Sequence, residues 1–244
     1  MNRVASAVTA GVRELRRTPV LLALLVVLPA YVVGVFAVVA PAVPATVHLP
    51  GGGTVLVSLA EGFPAFTTPM SAALVAAIAG LFLMQGSASA DGRLVVAGFR
   101  PREVVLARLS LLVGVVAVAT AVSVAVMAST FTPRHLGWYL VATGLTALVY
   151  GTVGVVVGLV LDRLPGIYLL LFGSMLDLFI FQNPLAAEAP TGARLLPGHF
   201  PTALAVQAGF ADAVAPADLA WGLAVLGVLA AGAVLAFVRG TRSG

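Results

Sequence analysis

This chain of 244 residues has no cysteine, which excludes disulfides, thiolate catalysis and cysteine-ligated metals, and leaves its redox compartment open. Lysine is absent too, which we read as codon usage and not as chemistry. Charge is scarce: Asp, Glu, Lys and Arg make up 9% of the residues against 61% hydrophobic ones, and mean hydropathy is +1.11. So few charges cannot keep a globular surface in water, and the composition is that of an integral membrane protein. The polar connections are short, which leaves no room for an extramembrane catalytic domain.

What is there is a series of apolar runs. Residues 19–40, 69–90, 109–129, 138–161, 165–181 and 217–238 predict six membrane spans. Eleven of the 13 arginines then fall on one side. They are Arg3, Arg13, Arg16 and Arg17 before the first span, Arg93, Arg100, Arg102 and Arg108 between the second and third, Arg163 after the fourth, and Arg239 and Arg242 at the end. Only Arg134 and Arg194 lie opposite. The positive-inside rule makes both termini cytoplasmic. The net charge of +4 and pI near 10.3 therefore express orientation and anionic headgroups, and nucleic acid is not an expected partner. Ala40-Pro41-Ala42 loosely fits a signal cleavage site, but the run before it spans about 30 Å as a helix and is expected to stay as an uncleaved span.

Local patterns add detail. Prolines open the runs at Pro19, Pro69 and Pro165, Pro29 predicts a kink, and Trp138-Tyr139 reads as an outer aromatic anchor. Residues 41–68 form an outer loop with a turn at Gly51-Gly52-Gly53 and only His48 and Glu61 as titratable groups. Residues 183–216 contain Pro184, Pro190, Pro197 and Pro201 around apolar patches, too apolar for a solvated loop, and predict short helices dipping back into the outer leaflet. At the N-terminus, Val4, Val8, Val12 and Leu15 make a stripe with Arg13, Arg16 and Arg17 off it. Residues 1–18 are then an amphipathic helix on the membrane surface; the alternative is a solvated basic leader. Gly144, Gly151, Gly154 and Gly158 put a small-residue packing face on the fourth span.

Catalytic signatures are missing. Asp91-Gly92-Arg93 matches the start of the phosphatidyltransferase pattern, but the two later aspartates are absent and only Glu103 follows. Gly86-Ser87-Ala88-Ser89 is not a rhomboid Gly-x-Ser-Gly, and His48, His135 and His199 are too isolated to share a metal, so no metal is expected. No phosphate loop occurs, so the chain is not itself an ATPase by that route, and no enzyme activity is expected of it. Asp177 is the one acid inside a span, roughly 18 Å from its cytoplasmic end. It either lines a substrate path, for which Gln85 is a second polar candidate, or caps the outer segment where the short fifth helix unwinds.

The most specific stretch is residues 87–109, SASADGRLVVAGFRPREVVLARL, which alternates apolar residues with Arg93, Arg100, Arg102 and Glu103 and is broken by Gly98 and Pro101. A short helix, a turn and the start of the third span follow, with residues 100–103 exposed to the cytosol. Asp91, Gly92, Leu94, Pro101, Arg102 and Glu103 stand in the order found in the cytoplasmic loop of ABC-2 type exporter permeases, although Asp91 and Gly92 are contiguous here. Leu196-Pro197 and Pro201-Thr202 are similar to elements before the last span in drug-export permeases of that family, including the fluoroquinolone-export type. The whole chain resembles such a permease subunit. The resemblance implies one all-α integral membrane domain over residues 1–244: six transmembrane helices, an interface helix at 1–18, a coupling loop at 91–103 and a re-entrant outer segment at 183–216. It also implies a multi-pass place in a prokaryotic plasma membrane and a second permease copy or paralogue. A separate ATPase subunit would bind ATP and Mg, none being held by this chain. Asp91, Gly92, Arg93, Phe99, Arg100, Pro101, Arg102 and Glu103 would then dock on the ATPase, while Arg13, Glu14, Arg16 and Arg17 hold the interface helix. The expected activity is export of a hydrophobic or amphipathic substrate such as a drug, antibiotic or lipid. An ATPase-independent transporter or membrane scaffold is the alternative, and a membrane-embedded enzyme comes third.

Overall fold

Helix α1 (Pro19–Val39) opens on a proline, where the missing N–H costs nothing, and continues unbroken through Pro29. The computed structural model describes residues 19–85, 101–187 and 190–240, and the side chains within 23–85, 109–187 and 190–236. After α1 the chain makes an antiparallel hairpin, β1 (Pro44–His48) and β2 (Thr54–Ser58), with Val47 opposite Val55 and His48 opposite Thr54. Its β-branched residues suit a pleated surface, and its turn runs through Gly51, Gly52 and Gly53. All three have φ near +90 to +102°, where a side chain would be strained. The 41–68 segment is thus ordered, and the hairpin is pinned by the His48 N–H, which donates to the Pro184 carbonyl at 2.8 Å.

Among the described residues six more helices follow: α2 (Leu59–Gln85), α3 (Pro101–Met127), α4 (Leu136–Val160), α5 (Arg163–Met175), a short α6 (His199–Phe210) and α7 (Pro216–Gly240). A π-helical turn, Leu176–Phe181, extends α5, and a 3-10 turn, Ala193–Leu195, leads toward α6. Among the described residues, five stretches are long and apolar enough to cross a membrane: Leu59–Gln85, Leu109–Met127, Leu136–Val160, Arg163–Phe181 and Pro216–Ala236. In α1 the corresponding apolar stretch, Ala23–Val39, is shorter. The chain is therefore a mostly helical protein with the helices of a multi-pass membrane protein, carrying one β-hairpin in addition.

One predicted boundary moves. The second span was expected to start at Pro69, but α2 begins ten residues earlier and contains both Pro64 and Pro69. A proline inside a helix deprives the carbonyl four residues back of its donor. For Pro69 that carbonyl is Ala65, and the Tyr139 hydroxyl of α4 donates to it at 2.5 Å. Thr68 Oγ1 donates to the Pro64 carbonyl at 2.7 Å and Thr67 Oγ1 to that of Phe63 at 3.0 Å, so these buried hydroxyls are satisfied within the helix. Tyr139 is consequently fully buried and not an interfacial anchor. The third span, expected from 109 to 129, is the apolar stretch Leu109–Met127, and it belongs to a helix that begins at Pro101, where a break was expected.

Helix α2 sits at the centre, buried from Gly62 to Leu81 on nearly every face, while α5 and α7 keep most of theirs exposed. Its closest partner is α4, and glycine makes the contact possible. A Cβ on Gly154 would lie 2.0 Å from the Ala77 carbonyl oxygen, and one on Gly80 would lie 2.1 Å from that of Gly151. The glycine face of α4 is thus spent inside the chain, against α2. Around it pack Met70, Leu74, Leu81, Leu145 and Val149, with Phe36, Phe63 and Phe179 joining α1, α2 and the π turn. Replacing Gly154 with alanine should destabilise the protein by about 1–3 kcal/mol through overpacking. Gly114→Ala, whose Cβ meets nothing within 4 Å, should change it by less than about 1 kcal/mol. Thermal unfolding in detergent compares the two, and equal effects would refute the close α2–α4 contact.

Candidate functional site

The π turn exists around Asp177. In an α-helix the Gln182 N–H would bond four residues back, but here it reaches the Asp177 carbonyl five residues back at 2.9 Å. The wider turn goes with a buried Asp177 side chain, only 4% exposed, surrounded by donors. The Tyr150 hydroxyl of α4 donates to Oδ2, as does the Gly198 N–H at 2.9 Å, and Gln182 Nε2 donates to Oδ1 at 2.9 Å. Gly198 is the N-cap residue of α6, so the carboxylate lies at that helix's N-terminus, where unpaired N–H groups and the helix dipole favour an acid. Gly198 must be glycine: a Cβ there would meet Asp177 Oδ2 at 2.8 Å and Leu178 at 2.6 Å.

The network continues outward. Gln182 Nε2 also donates to the Ala193 carbonyl at 3.0 Å, so both of its amide-nitrogen partners are acceptors and its oxygen must face a donor. That donor is His199 Nδ1, 2.9 Å from Oε1, which sets the imidazole tautomer with its proton on Nδ1. Partial burial, with the neighbouring Arg194 charge, holds the His199 imidazole below its ordinary range against the opposing pull of Asp218 and Asp177. One chain of hydrogen bonds therefore links α4, the π turn, the 3-10 turn and α6.

The far end of α6 is tied as well. Gln207, buried in α6, accepts the Ala215 N–H at 2.8 Å and donates to Asp218 of α7 at 2.5 Å. The Arg134 and His135 N–H groups, just before α4, donate to the Gly209 and Ala208 carbonyls at 3.2 and 2.9 Å, serving the end of α6 whose carbonyls lack helical partners. Arg134 also pairs with Asp212 at the surface. Between these ties, Ala203 to Phe210 are all buried. A small cleft lined by Pro69, Leu178, Gln182, Pro184, Thr202 and Phe210 lies between α2, the π turn and α6. The Thr202 hydroxyl is buried there with no hydrogen-bond partner among the described residues.

The sequence-derived candidates are scattered. Gln85 does not join Asp177: its Nε2 donates to the Leu161 carbonyl at 2.8 Å, eleven residues and about 16 Å along from Tyr150. Arg13, Glu14, Arg16, Arg17, Asp91, Gly92, Arg93, Phe99 and Arg100 lie outside the described residues, as do residues 1–18 and most of the 91–103 loop. Pro101, Arg102 and Glu103 form the first turn of α3, their side chains outside those described. Among the described residues no three His, Asp or Glu side chains gather as a metal site. Tyr150, Gln182, Gly198 and Gln207 were not singled out from sequence. The spacing of five between Asp177 and Gln182 fits no α-helical face, and only a π turn would have revealed it. Compared with known proteins, the chain matches no family model, no curated protein and no solved structure.

Asp177→Ala strands the Tyr150 hydroxyl and the Gly198 N–H in the interior and should cost about 3 kcal/mol or more, at about 1–3 kcal/mol per unmet group. In a double-mutant cycle Tyr150→Phe should add nearly nothing once Asp177 is gone. Full additivity of the two losses would rule the network out. The lowered His199 pKa has a definite sign. The unfolded chain takes up the proton first, so the stabilising contribution is complete above the unfolded value of about 6.5 and is lost as pH falls through the folded one. Unfolding midpoints measured from pH 7.5 down to 5 should fall more steeply in the native protein than in His199→Gln; parallel curves would contradict it.

Proposed function

We propose that this chain is the transmembrane subunit of an ATP-driven exporter. In that assembly α1 to α5 and α7 are the six spans, with both termini on the cytoplasmic side of a prokaryotic plasma membrane. A second permease copy or paralogue completes the path. A separate ATPase subunit binds ATP and Mg and engages the loop at residues 91–103. The cargo is hydrophobic or amphipathic, a drug, antibiotic or lipid, and drug efflux is the expected physiological form.

The observation that carries this proposal is the short helix α6, inserted between the fifth and last long helices and buried along Ala203 to Phe210. A plain connection would not need an apolar helix tied at both ends. An outer segment folded back against the bundle is what the resemblance of the sequence to ABC-2 permeases implies. The arginines of residues 93–108 support it from the other side of the membrane, where the coupling loop stands. ATP-driven movement of the ATPases would bias the spans through differential contacts of that loop in two states.

An ATPase-independent transporter is the second reading, and Asp177 is its observation, since a buried acid in a span is the usual mark of an ion or proton path. Its donors from three elements weigh the other way, because they give it an architectural role at the start of α6. Co-expression of the tagged chain with the ATPase encoded beside it distinguishes the two. The native chain should retain the ATPase through purification. Arg102→Glu with Glu103→Arg should weaken retention about tenfold or more, since misplaced charges at a docking contact cost several kcal/mol. A native chain that holds no ATPase would sink the exporter and return attention to Asp177.

A further inference from the structure

The β-hairpin has two edges, and the fold closes one of them. The Leu49 N–H donates to the Gly53 carbonyl at 3.0 Å and the Leu59 N–H to that of Val43 at 2.8 Å, so the odd-numbered residues of the register bond across the ladder. The even-numbered residues then turn their N–H and C=O groups outward. On β1 that edge meets the Pro184 carbonyl through the His48 N–H. On β2 it is the opposite edge, and among the described residues no hydrogen bond leads from Thr54 or Leu56 to another element.

An open edge is a template for a further strand, and proteins commonly blunt it with charge or proline. Strand β1 carries Pro44, whereas β2, TVLVS, has neither. Leu56 stands at the centre of β2 and is 71% exposed. Its side chain is on the face turned away from the bundle, because Val47, next to its cross-strand partner Thr46, is fully buried in the cluster of Ala65, Tyr139 and Phe210.

One partner meets both the open hydrogen bonds and the exposed leucine, namely the same strand of a second copy. Two copies inserted the same way hold their hairpins at the same height in the bilayer, and the closed arrangement of such a pair is two-fold. Turned about Leu56, β2 meets β2 antiparallel, and Leu56 exchanges both N–H···O bonds with its counterpart. No charge is buried, and two leucines that are exposed singly cover each other. Confinement to one membrane also raises the effective concentration of this strand above that of a soluble peptide.

We propose that β2 is a homodimer seam, its free edge pairing with β2 of a second copy of this chain in a four-stranded sheet with Leu56 on the two-fold axis. The pairing rests on the second copy of the proposed assembly and requires neither the ATPase nor export.

The full chain has no cysteine, so the test is made in membranes without background. Leu56→Cys, oxidised with copper phenanthroline, should run as a disulfide-linked dimer on a non-reducing gel, since paired Cα atoms in such a ladder are about 5.5 Å apart. Thr46→Cys, exposed on the same face but one strand inward, should stay monomeric, because three strand spacings put it about 14 Å from its counterpart. Thr54→Pro removes an outward N–H that the inner ladder does not use, and in the Leu56→Cys chain it should lose most of the dimer. Thr46, Thr54 and Leu56 are all exposed, so these variants keep the fold. Equal dimer from Leu56→Cys and Thr46→Cys, the mark of chance collision, would overturn the proposal. So would a yield unchanged by Thr54→Pro, or no dimer from Leu56→Cys, the result expected if another strand or segment covers the edge. An ATPase that co-purifies with a chain whose hairpins do not crosslink would remove this interface and leave the exporter standing.

Discussion

Because Gly80, Gly151 and Gly154 have no side chains, the backbones of α2 and α4 approach so closely that a single methyl group on Gly154 would fall 2.0 Å from the Ala77 carbonyl oxygen. In a membrane, where lipid tails are as apolar as leucine, such close approach replaces the hydrophobic effect as the source of helix association. The other contacts follow from it. With α4 held there, the Tyr139 hydroxyl reaches the Ala65 carbonyl that Pro69 leaves without a donor, and α2 can continue through Pro69. With α2 buried in the middle, α3 packs on one side through Ser71 and Ser123, whose hydroxyls lie 3.0 Å apart.

The same rule of internal satisfaction shapes the end of the bundle that carries α6. A polar group out of water must find a partner within the chain. The Asp177 carboxylate, the Gln182 amide and the His199 imidazole satisfy one another and the start of α6, while Gln207 and the residues before α4 satisfy its end. A helix of 12 residues that is too short to cross a bilayer is thereby held as a rigid part of the bundle. The π turn is the local distortion that lets the fifth long helix present Asp177 to it.

How much of this could be read beforehand depended on whether the signal was local. The fourth and last spans were expected at 138–161 and 217–238 and are Leu136–Val160 and Pro216–Gly240, since uninterrupted apolar runs leave little choice. The start of α2 was misplaced because Pro69 read as a boundary, and the carbonyl it frees is met by a donor that stands 70 residues further along the chain. Asp177 was legible as unusual, being an acid in an apolar run. Its partners Tyr150 and Gly198 were not, because they are 27 and 21 residues distant and belong to other elements.

The sequence by itself determined that the chain is built of apolar helices and where most of them run, because burial of apolar residues is a sum over local composition. Tertiary structure alone decided which glycines face which backbone, how the carbonyl freed by Pro69 is satisfied, and that Asp177 meets Tyr150, Gln182 and Gly198. Those outcomes rest on distances of about 2 to 3 Å between groups far apart in the chain, and no period or spacing along a sequence encodes them.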